Sequence, residues 1–309
     1  QQNASLMQIT DSTEIPSVQD RSSKAQLASS LSDVVEPDIS LSALDSRSMS
    51  DAIADAGNID FIGQIGGPSR AVAVSGTLAY LGVGPRLVIL DISQSVTPTF
   101  VGQTLPLPSI VNGIAVAPES SIIYVADGDG GLRVIDVSTP NRPIEIGAYE
   151  TPGEAQDVAV SPGGDTLYVV GRSGDFWDYD SWLRVLDVSV PASPTEVGIY
   201  DASGQARGVA MAPEGGTVYI ADYDVGLRVI DVNTPASPTE IGVYDTPGEA
   251  ESVAVAPGGS IVYVADNVAG LRVIDVSVPA NPIEVGAYDT LGSASSLAVA
   301  PGGSYIYVV

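Results

Sequence analysis

The chain has 309 residues, a formal net charge of −26 from 12 Lys and Arg against 38 Asp and Glu, and neither cysteine nor histidine. The absence of cysteine excludes disulfides, thiolate nucleophiles and Cys-based zinc sites, and the absence of histidine removes the commonest general base, the commonest transition-metal ligand and every Ser-His-Asp triad. The acidity argues against nucleic-acid binding and favours cations and basic partners, and no apolar run is long enough for membrane insertion.

Residues 1–58 differ in composition from the rest of the chain. They are rich in serine, contain no tyrosine or tryptophan, and lack any regular alternation of strands and turns. The spacing of their apolar residues allows only weak helices, in 24–35 and 41–56. Because so little apolar surface is available to offset the entropy of ordering, the sequence predicts a flexible or weakly helical N-terminal segment.

From residue 59 to residue 309 the chain is a repeat. Its most regular element is a strand-like hexapeptide: LVILDI at 87–92, LRVIDV at 132–137, LRVLDV at 183–188, and LRVIDV again at 227–232 and 271–276. The copies lie about 44 residues apart, or about 51 where an insertion intervenes. A period in the low forties, with strand-like units separated by turn residues, is typical of β-propeller blades.

One unit, residues 251–290, divides into four short apolar strands at 253–257, 261–266, 271–276 and 283–288. Val, Ile and Tyr dominate them, which suits pleated strands. Apolar residues occupy both parities, so both faces of each sheet must be buried, and blades packed face to face around an axis provide that burial. The same division predicts four-stranded antiparallel blades at 71–104, 113–149, 158–200, 209–244 and 253–288.

A sixth unit starts at 297–301 and reaches its second strand at 305–309. The sequence FIGQIG at 61–66 matches the outer-strand pattern IEIGAY at 144–149. Propellers often close their ring by completing one blade from both chain ends, so we expect residues 61–66 to supply the outer strand of the sixth blade. The predicted fold is therefore an all-β propeller of six blades, the last one incomplete at the C-terminus.

The hexapeptide is followed by a Ser/Asn-x-Pro connection, such as STPNRP at 138–143 or SVPASP at 189–194. Together they resemble the LVIVD-repeat family, β-propeller proteins of bacterial and archaeal surfaces. The strand pair VAVSPGGDTLYVV at 158–170 is also similar to the YVTN and WD-like propeller repeats. The resemblance covers residues 59–309 and implies a propeller at the cell surface or outside the cell. It transfers no catalytic residue, and the first unit departs from the pattern with Val88 in place of arginine.

Arginine and aspartate recur in register within the hexapeptide. A functional site normally breaks internal symmetry, whereas a residue present in every blade usually serves the blade. We therefore predict that each aspartate binds backbone N–H groups of the following turn and that each arginine pairs with a nearby acid or carbonyl. These residues are Asp136, Asp187, Asp231 and Asp275, with Arg133, Arg184, Arg228 and Arg272.

The hairpins between the second and third strands are acidic: ADGDGGL at 126–132, ADYDVGL at 221–227 and ADNVAGL at 265–271. Carboxylate oxygens are ligands that calcium prefers, and the candidate calcium ligands are Asp127, Asp129, Asp222 and Asp224, with Asp266 in the third hairpin. The alternative is that Asp-Gly and Asn simply form tight turns. Calcium is the one cofactor that the sequence suggests.

One hairpin is longer than the others. Residues 171–182, GRSGDFWDYDSW, contain both tryptophans of the chain and three acids. Exposed aromatic residues usually cover a neighbour or meet a partner, so this segment either folds back onto the rim or recognises a protein or carbohydrate. Its candidate binding residues are Asp175, Phe176, Trp177, Asp178, Tyr179, Asp180 and Trp182.

Strand direction alternates, so these hairpins share one face with the loops that lead from each outer strand to the next inner strand. We expect that face to be acidic and the opposite face to be much less charged. At the start of the inner strands the repeats diverge, which makes these residues candidates for lining the mouth of the central channel. They are Arg70, Asn112, Gln156, Arg207 and Glu251, with Ser295 in the last copy.

Taken together, the sequence predicts a non-enzymatic, secreted or cell-surface propeller that binds a protein or ligand, or serves adhesion, through one acidic face. A calcium-stabilised adhesion or structural module is the first alternative. The second is a propeller enzyme of the lactonase or quinoprotein kind, in which carboxylates at the channel mouth would act as acid and base.

Overall fold

The computed structural model describes residues 69–94, 97–175 and 178–309, apart from the side chains of residues 175, 178 and 179. Over this part of the chain the protein is all-β, with 22 strands. None of the described residues belongs to a helix that could cross a membrane. The N-terminal segment 1–58 and the predicted closing strand 61–66 lie outside the described residues.

The strands form five four-stranded antiparallel sheets, in each of which sequential strands are neighbours. Blade 1 contains β1 (Ser69–Ser75), β2 (Leu78–Val83), β3 (Leu87–Asp91) and β4 (Thr99–Gln103). Blade 2 contains β5 (Gly113–Val116), β6 (Ile122–Ala126), β7 (Leu132–Asp136) and β8 (Ile144–Tyr149). Blade 3 contains β9 (Glu154–Val160), β10 (Thr166–Asp175), β11 (Asp178–Asp187) and β12 (Thr195–Ser203). Blade 4 contains β13 (Ala206–Met211), β14 (Thr217–Asp222), β15 (Gly226–Asp231) and β16 (Thr239–Tyr244). Blade 5 contains β17 (Ser252–Val255), β18 (Ile261–Ala265), β19 (Leu271–Asp275) and β20 (Ile283–Tyr288).

A further pair of strands forms the start of a sixth blade. It consists of β21 (Leu297–Val299) and β22 (Ile306–Val308), which pair antiparallel. The structure therefore confirms the propeller of four-stranded blades, with five complete blades and part of a sixth among the described residues.

The hydrophobic core lies between the blades. Tyr124 and Leu132 of blade 2 pack in one buried cluster with Leu167 and Leu186 of blade 3. Equivalent clusters join blades 1 and 2, blades 3 and 4, and blades 4 and 5. Full burial of such a side chain stabilises the fold by roughly 1.5–3 kcal/mol. The prediction that both faces of each sheet are buried is confirmed at these boundaries.

Main-chain hydrogen bonds also cross the blade boundaries. The second hairpin of one blade forms an isolated β-bridge with the start of the inner strand of the next blade, at Gly128–Ala155, Tyr223–Ala250 and Asn267–Ala294. The N–H of Ala155 donates to the carbonyl of Gly128 at 3.0 Å, and that of Ala250 donates to Tyr223 at 2.9 Å. The hairpins and the inter-blade loops therefore share one side of the ring, which we call the hairpin face.

A glycine in each outer strand lets the next blade approach closely. A Cβ atom at Gly242 would lie 2.2 Å from the carbonyl oxygen of Pro279, in the Pro-rich connection of blade 5. One at Gly147 would lie 2.6 Å from the carbonyl oxygen of Pro191 in blade 3.

A tyrosine–glutamate contact also joins blades 2 and 3, blades 3 and 4, and blades 4 and 5 on the outer rim. The hydroxyl of Tyr200 donates to Glu240 of the next blade at 2.7 Å, and Tyr149 donates to Glu196 in the same way. Arg228 contacts the same Glu240 carboxylate at 2.7 Å. Burial, with the hydrogen bond to the carboxylate, raises the pKa of Tyr200 to about 12, so the hydroxyl remains protonated and donates.

The repeated aspartates close the turn after the third strand, as predicted. The N–H of Ser138 donates to Asp136 at 2.7 Å, and Ser189 donates to Asp187 at 2.8 Å. The pKa of Asp136 is lowered by the backbone N–H and then the side chain of Ser138. These carboxylates lie on the side opposite the hairpin face, together with Asp91, Asp231 and Asp275. The end of every third strand therefore places an aspartate on this side, which the sequence was expected to leave much less charged than the hairpin face.

Candidate functional site

The insertion at 171–182 continues the sheet of blade 3. Strands β10 and β11 remain paired as far as Asp175 and Asp178, and β12 pairs with β11 up to Ser203 opposite Asp180. The described part of the loop that the sequence suggested is thus a strand extension. We call residues 171–175 and 178–182 the ribbon. Phe176 and Trp177 lie outside the described residues, as do the side chains of Asp175, Asp178 and Tyr179. Asp180 is exposed on the ribbon.

Trp182 belongs to the core and not to a binding surface. Its side chain is 2% exposed and packs in the cluster between blades 2 and 3. Gly171 makes room for it, because a Cβ atom there would lie 2.3 Å from the indole ring. The guanidinium of Arg184 lies over the ring, 5.7 Å from its centre. We therefore withdraw Trp182 from the candidate partner-binding residues, since a buried indole cannot meet a partner.

At the position of Gly171 three other blades carry a buried acid, whereas blade 3 fills the same space with an aromatic side chain. In blades 2, 4 and 5 the corresponding residues are Asp127, Asp222 and Asp266, all fully buried. Each of these aspartates binds the loop that enters its blade and contacts the repeated arginine. In blade 3 the glycine removes the carboxylate and the indole of Trp182 occupies the space.

Asp222 shows these contacts most completely. Its carboxylate accepts hydrogen bonds from the Ser181 hydroxyl at 3.0 Å, from the Gln205 N–H at 2.5 Å and from the Arg228 Nε at 2.5 Å. Removing one partner of such a buried pair costs about 3–5 kcal/mol because the other charge is left buried. The repeated arginines therefore pair with acids, as predicted.

Asp127 makes the same contacts less tightly. It accepts from the N–H of Ser109 at 3.1 Å and lies 3.7 Å from Nε of Arg133. Burial raises the pKa of Asp127 to about 6, against the lowering effect of the Ser109 N–H and Arg133. The carboxylate is thus held mainly by the fold and only weakly by its cation.

The candidate calcium ligands do not form one group. Asp127 and Asp222 are buried beside arginines, whereas Asp129 and Asp224 are exposed at the hairpin tips. Among the described residues no three acidic side chains are arranged to hold a metal ion. Calcium binding stays a prediction, to be tested in solution.

A polar pocket lies where the ribbon meets the hairpin of blade 2. It has a volume of about 300 Å³ and is lined by Asp129, Pro152, Gly153, Glu154, Arg172, Ser173 and Gly174. Glu154 and Arg172 pair across it, with Nη2 of Arg172 at 2.8 Å from Oε2 of Glu154. Arg172 also donates to Gln205 at 3.2 Å, which connects the pocket to the channel mouth.

Three of the residues predicted at the channel mouth lie on inner strands as β-bulge residues, and Asn112, Glu251 and Ser295 lie just before such strands. The pairing with the second strand shifts at Arg70, at Gln156 and at Arg207. A bulge re-aims the side chain that it carries. Asn112 connects the first three blades, because it accepts from Arg70 at 3.2 Å and donates to the carbonyl of Ala155 at 3.0 Å.

Arg207 and Glu251 belong to a second network in blades 3 to 5. The guanidinium of Arg207 lies 4.9 Å from the ring centre of Tyr223 and donates to Gln205 at 3.3 Å. A hydrogen bond to Glu249, with burial, raises the pKa of Tyr223 to about 12. Burial raises the pKa of Glu251, and Arg207 opposes that shift. Arg70 and Asn112 therefore form one group at the mouth, and Arg207 and Glu251 form the other.

Sequence reasoning missed the contact that Asp157 makes with the next blade. Its carboxylate reaches from the inner strand of blade 3 to blade 4, where it accepts from the N–H of Val209 at 2.9 Å. Burial raises the pKa of Asp157 to about 6. The aligned residues in other blades are Gly113, Gly208, Ser252 and Ser296. One acid in a series of small residues was the available signal.

Comparison with known proteins agrees with this architecture. The LVIVD repeat model matches residues 66–105, 122–151, 152–202, 203–246 and 247–290. No curated protein has a sequence that matches the chain.

Similar folds occur in solved structures. The periplasmic gluconolactonase PpgL of Pseudomonas aeruginosa has a TM-score of 0.67 and 13% identity, over 80% of this chain and 79% of that chain. Kuenenia stuttgartiensis hydrazine synthase has a TM-score of 0.62 and 15% identity, over 78% and 80%. A functionally unknown protein from Desulfotomaculum acetoxidans has a TM-score of 0.60 and 16% identity, over 78% and 74%. At these identities the likeness concerns the fold alone. The repeat matches extend over more than half of the sequence, and the chain therefore belongs to the LVIVD repeat family.

Proposed function

We propose that this protein is a non-enzymatic, secreted or cell-surface propeller that binds a protein partner with a basic surface through its hairpin face. The observation that carries the proposal is the ribbon. Strands β10, β11 and β12 have 10, 10 and 9 residues, whereas the other described strands have 3 to 7. A rigid blade extended on one side gives recognition residues a fixed scaffold.

Charge supports a basic partner. Exposed acids surround the ribbon on the hairpin face: Asp129, Glu150, Asp180, Asp201 and Asp224. Complementary charge at an interface accelerates encounter and selects partners. The net charge of −26 adds a long-range attraction for cationic proteins.

Two further points support binding over catalysis and an extracellular address. Two carboxylates of blade 3 are occupied by internal contacts. Asp157 accepts from the N–H of Val209, and Glu154 pairs with Arg172. The LVIVD repeats resemble surface propellers, and a chain without cysteine or histidine has few groups for covalent or general-base chemistry.

The test is a ribbon-shortened variant in which residues 173–180 are replaced by Asn-Gly, a two-residue hairpin turn. Arg172 and Ser181 remain paired, and the buried Trp182 is retained. The replacement removes the three acids Asp175, Asp178 and Asp180. The matched control removes three acids from the opposite side, as Glu119→Gln, Asp165→Asn and Glu214→Gln, so both proteins change net charge equally.

Binding of a lysine-rich peptide is measured by calorimetry at low and physiological salt. We expect the ribbon-shortened variant to bind at least about tenfold more weakly and the control to bind like the wild type. Equal weakening in both would show that the peptide senses net charge and not the hairpin face, and the proposal would fail.

A propeller enzyme is the second candidate function. The raised pKa values of Asp157 and Glu251, both near the channel mouth, favour it, since acids tuned toward neutrality serve general acid–base catalysis. Hydrolysis of a lactone panel by the wild type, and its loss in Asp157→Asn, would establish this function instead.

A further inference from the structure

The channel mouth contains hydrogen-bond donors that the protein leaves without acceptors. Nε2 of Gln156 and Nε of Arg207 are both buried, and neither atom has a hydrogen-bond partner among the residues that the structure describes. Native proteins keep few such groups, and each of them requires an explanation. A ligand that brings oxygen acceptors to these atoms would provide one.

Both donors belong to residues at irregular positions of the backbone. Gln156 and Arg207 are the bulged residues of β9 and β13, the inner strands of adjacent blades. Bulges occur preferentially beside binding sites, where they redirect a side chain. The Tyr223 ring and the Gln205 amide fix the Arg207 guanidinium, so it loses little freedom when a ligand binds.

The same mouth offers carboxylate acceptors. Glu251 of blade 5 is close enough to Arg207 for their attraction to oppose the effect of burial on the Glu251 carboxyl. A guanidinium and an amide donate to the two oxygens of a carboxylate, and a protein carboxylate accepts from hydroxyl groups. The two kinds of group together fit a molecule that carries a carboxylate and hydroxyls.

We propose that the channel mouth binds a small hydroxycarboxylate, with its carboxylate on Arg207 and Gln156 and its hydroxyls toward Glu251. The site goes beyond the proposed function, because none of these residues belongs to the ribbon. A small ligand and a protein partner would therefore occupy the hairpin face at separate places.

The test compares D-glucuronate with D-glucose, which lacks the carboxylate but keeps the sugar ring. Binding is measured by calorimetry and by backbone NMR shifts on the whole chain. We expect glucuronate to bind at least about tenfold more tightly than glucose, with shifts at Gly113, Gly208 and Val209. Equal binding of the two sugars, binding of neither, or shifts confined to the ribbon would overturn the proposal.

Variants separate this site from the ribbon. Arg207→Gln and Gln156→Ala are each expected to weaken glucuronate binding at least about tenfold, while Arg142→Gln, on the opposite side, leaves it unchanged. Two mouth variants are used so that one remains informative if the other unfolds. The ribbon-shortened variant should still bind glucuronate, so a failed partner assay and a failed ligand assay are distinguishable. Retention of wild-type affinity in a folded mouth variant contradicts the proposal.

Discussion

Replacing Gly242 by alanine should destabilise the propeller, whereas the same replacement at Gly258 should not. Gly242 lies in the outer strand TEIGVY of blade 4, and Gly258 lies in the turn after the inner strand of blade 5. The difference lies in what surrounds each glycine. A methyl group at Gly242 would lie 2.2 Å from the Pro279 carbonyl oxygen, while one at Gly258 would meet no atom of the described residues within 4 Å.

The magnitudes follow from two opposing effects. Overpacking against a rigid main chain costs about 1–3 kcal/mol, and replacing a strand glycine recovers about 0.5–1 kcal/mol of conformational entropy. Gly242→Ala should therefore lower the free energy of unfolding by roughly 1 kcal/mol, within a range of about 0–2.5 kcal/mol. Gly258→Ala has only the favourable effect and should raise it by about 0.4–1 kcal/mol.

Urea unfolding followed by far-UV circular dichroism measures both changes, provided that the denaturant slopes agree. Gly147→Ala, whose methyl would lie 2.6 Å from the Pro191 carbonyl oxygen, should behave like Gly242→Ala. If Gly258→Ala destabilises as much as Gly242→Ala, contact with the next blade is not the reason for the glycine at 242, and the account of the blade boundary is refuted.

Three further outcomes follow from the blade contacts. Trp182→Ala should cost about 3–5 kcal/mol and Gly171→Ala about 1–3 kcal/mol. A Cβ at Gly171 would also lie 2.2 Å from the main-chain carbonyl oxygen of Glu154, so loss of the indole relieves only part of the overpacking, and the double variant should cost at least about 0.5 kcal/mol less than the sum; additive urea-unfolding values would show that the two residues do not share one space. Because burial raises the pKa of Asp127 to about 6 from 3.8, its carboxyl contributes stability that is present below 3.8 and lost as the pH rises through about 6. Urea titrations should thus find the wild type gaining stability relative to Asp127→Asn on acidification from neutral pH, and a constant difference would contradict the raised pKa. Tyr200→Phe should lower the free energy of unfolding by about 0.5–1.5 kcal/mol near neutral pH, and the difference should vanish as the pH rises through about 12, the pKa of Tyr200; a thermal melt identical to the wild type at neutral pH would exclude the contact.

The sequence predicted the blades well, because strand period and alternation are local properties that five copies repeat. It also predicted that the LRVIDV arginine and aspartate serve the blade. It did not predict the ribbon as strands, since Gly171, Ser173 and Gly174 are typical of loops and the extension depends on pairing of β11 with both β10 and β12. The burial of Trp182 was equally hidden, because it depends on a space that Gly171 leaves.

Two features of the structure depend on positions in space that the local sequence does not report. Asp157 bonds a backbone group about 52 residues away, and no local pattern reports such a contact. The charge on the side opposite the hairpin face comes from the repeated aspartates. Each of them ends a third strand, and that end of the strand lies on the opposite side. The mouth residues were found, since divergence between copies is visible in the sequence, but their division into two networks required the coordinates.

The tyrosine–glutamate contact gives blades 3 and 4 a donor toward the following blade and an acceptor for the preceding one. Tyr149, Tyr200 and Tyr244 each donate to a glutamate of the following blade. Duplicating or deleting blade 3 or blade 4 as a whole unit would therefore leave the junctions between blades 2 and 5 with the same pair of partners. Gene duplication could enlarge such a ring one unit at a time without compensating changes. Similar units, such as those of this chain, are the expected product of that route. The ribbon is then a change in one unit after duplication.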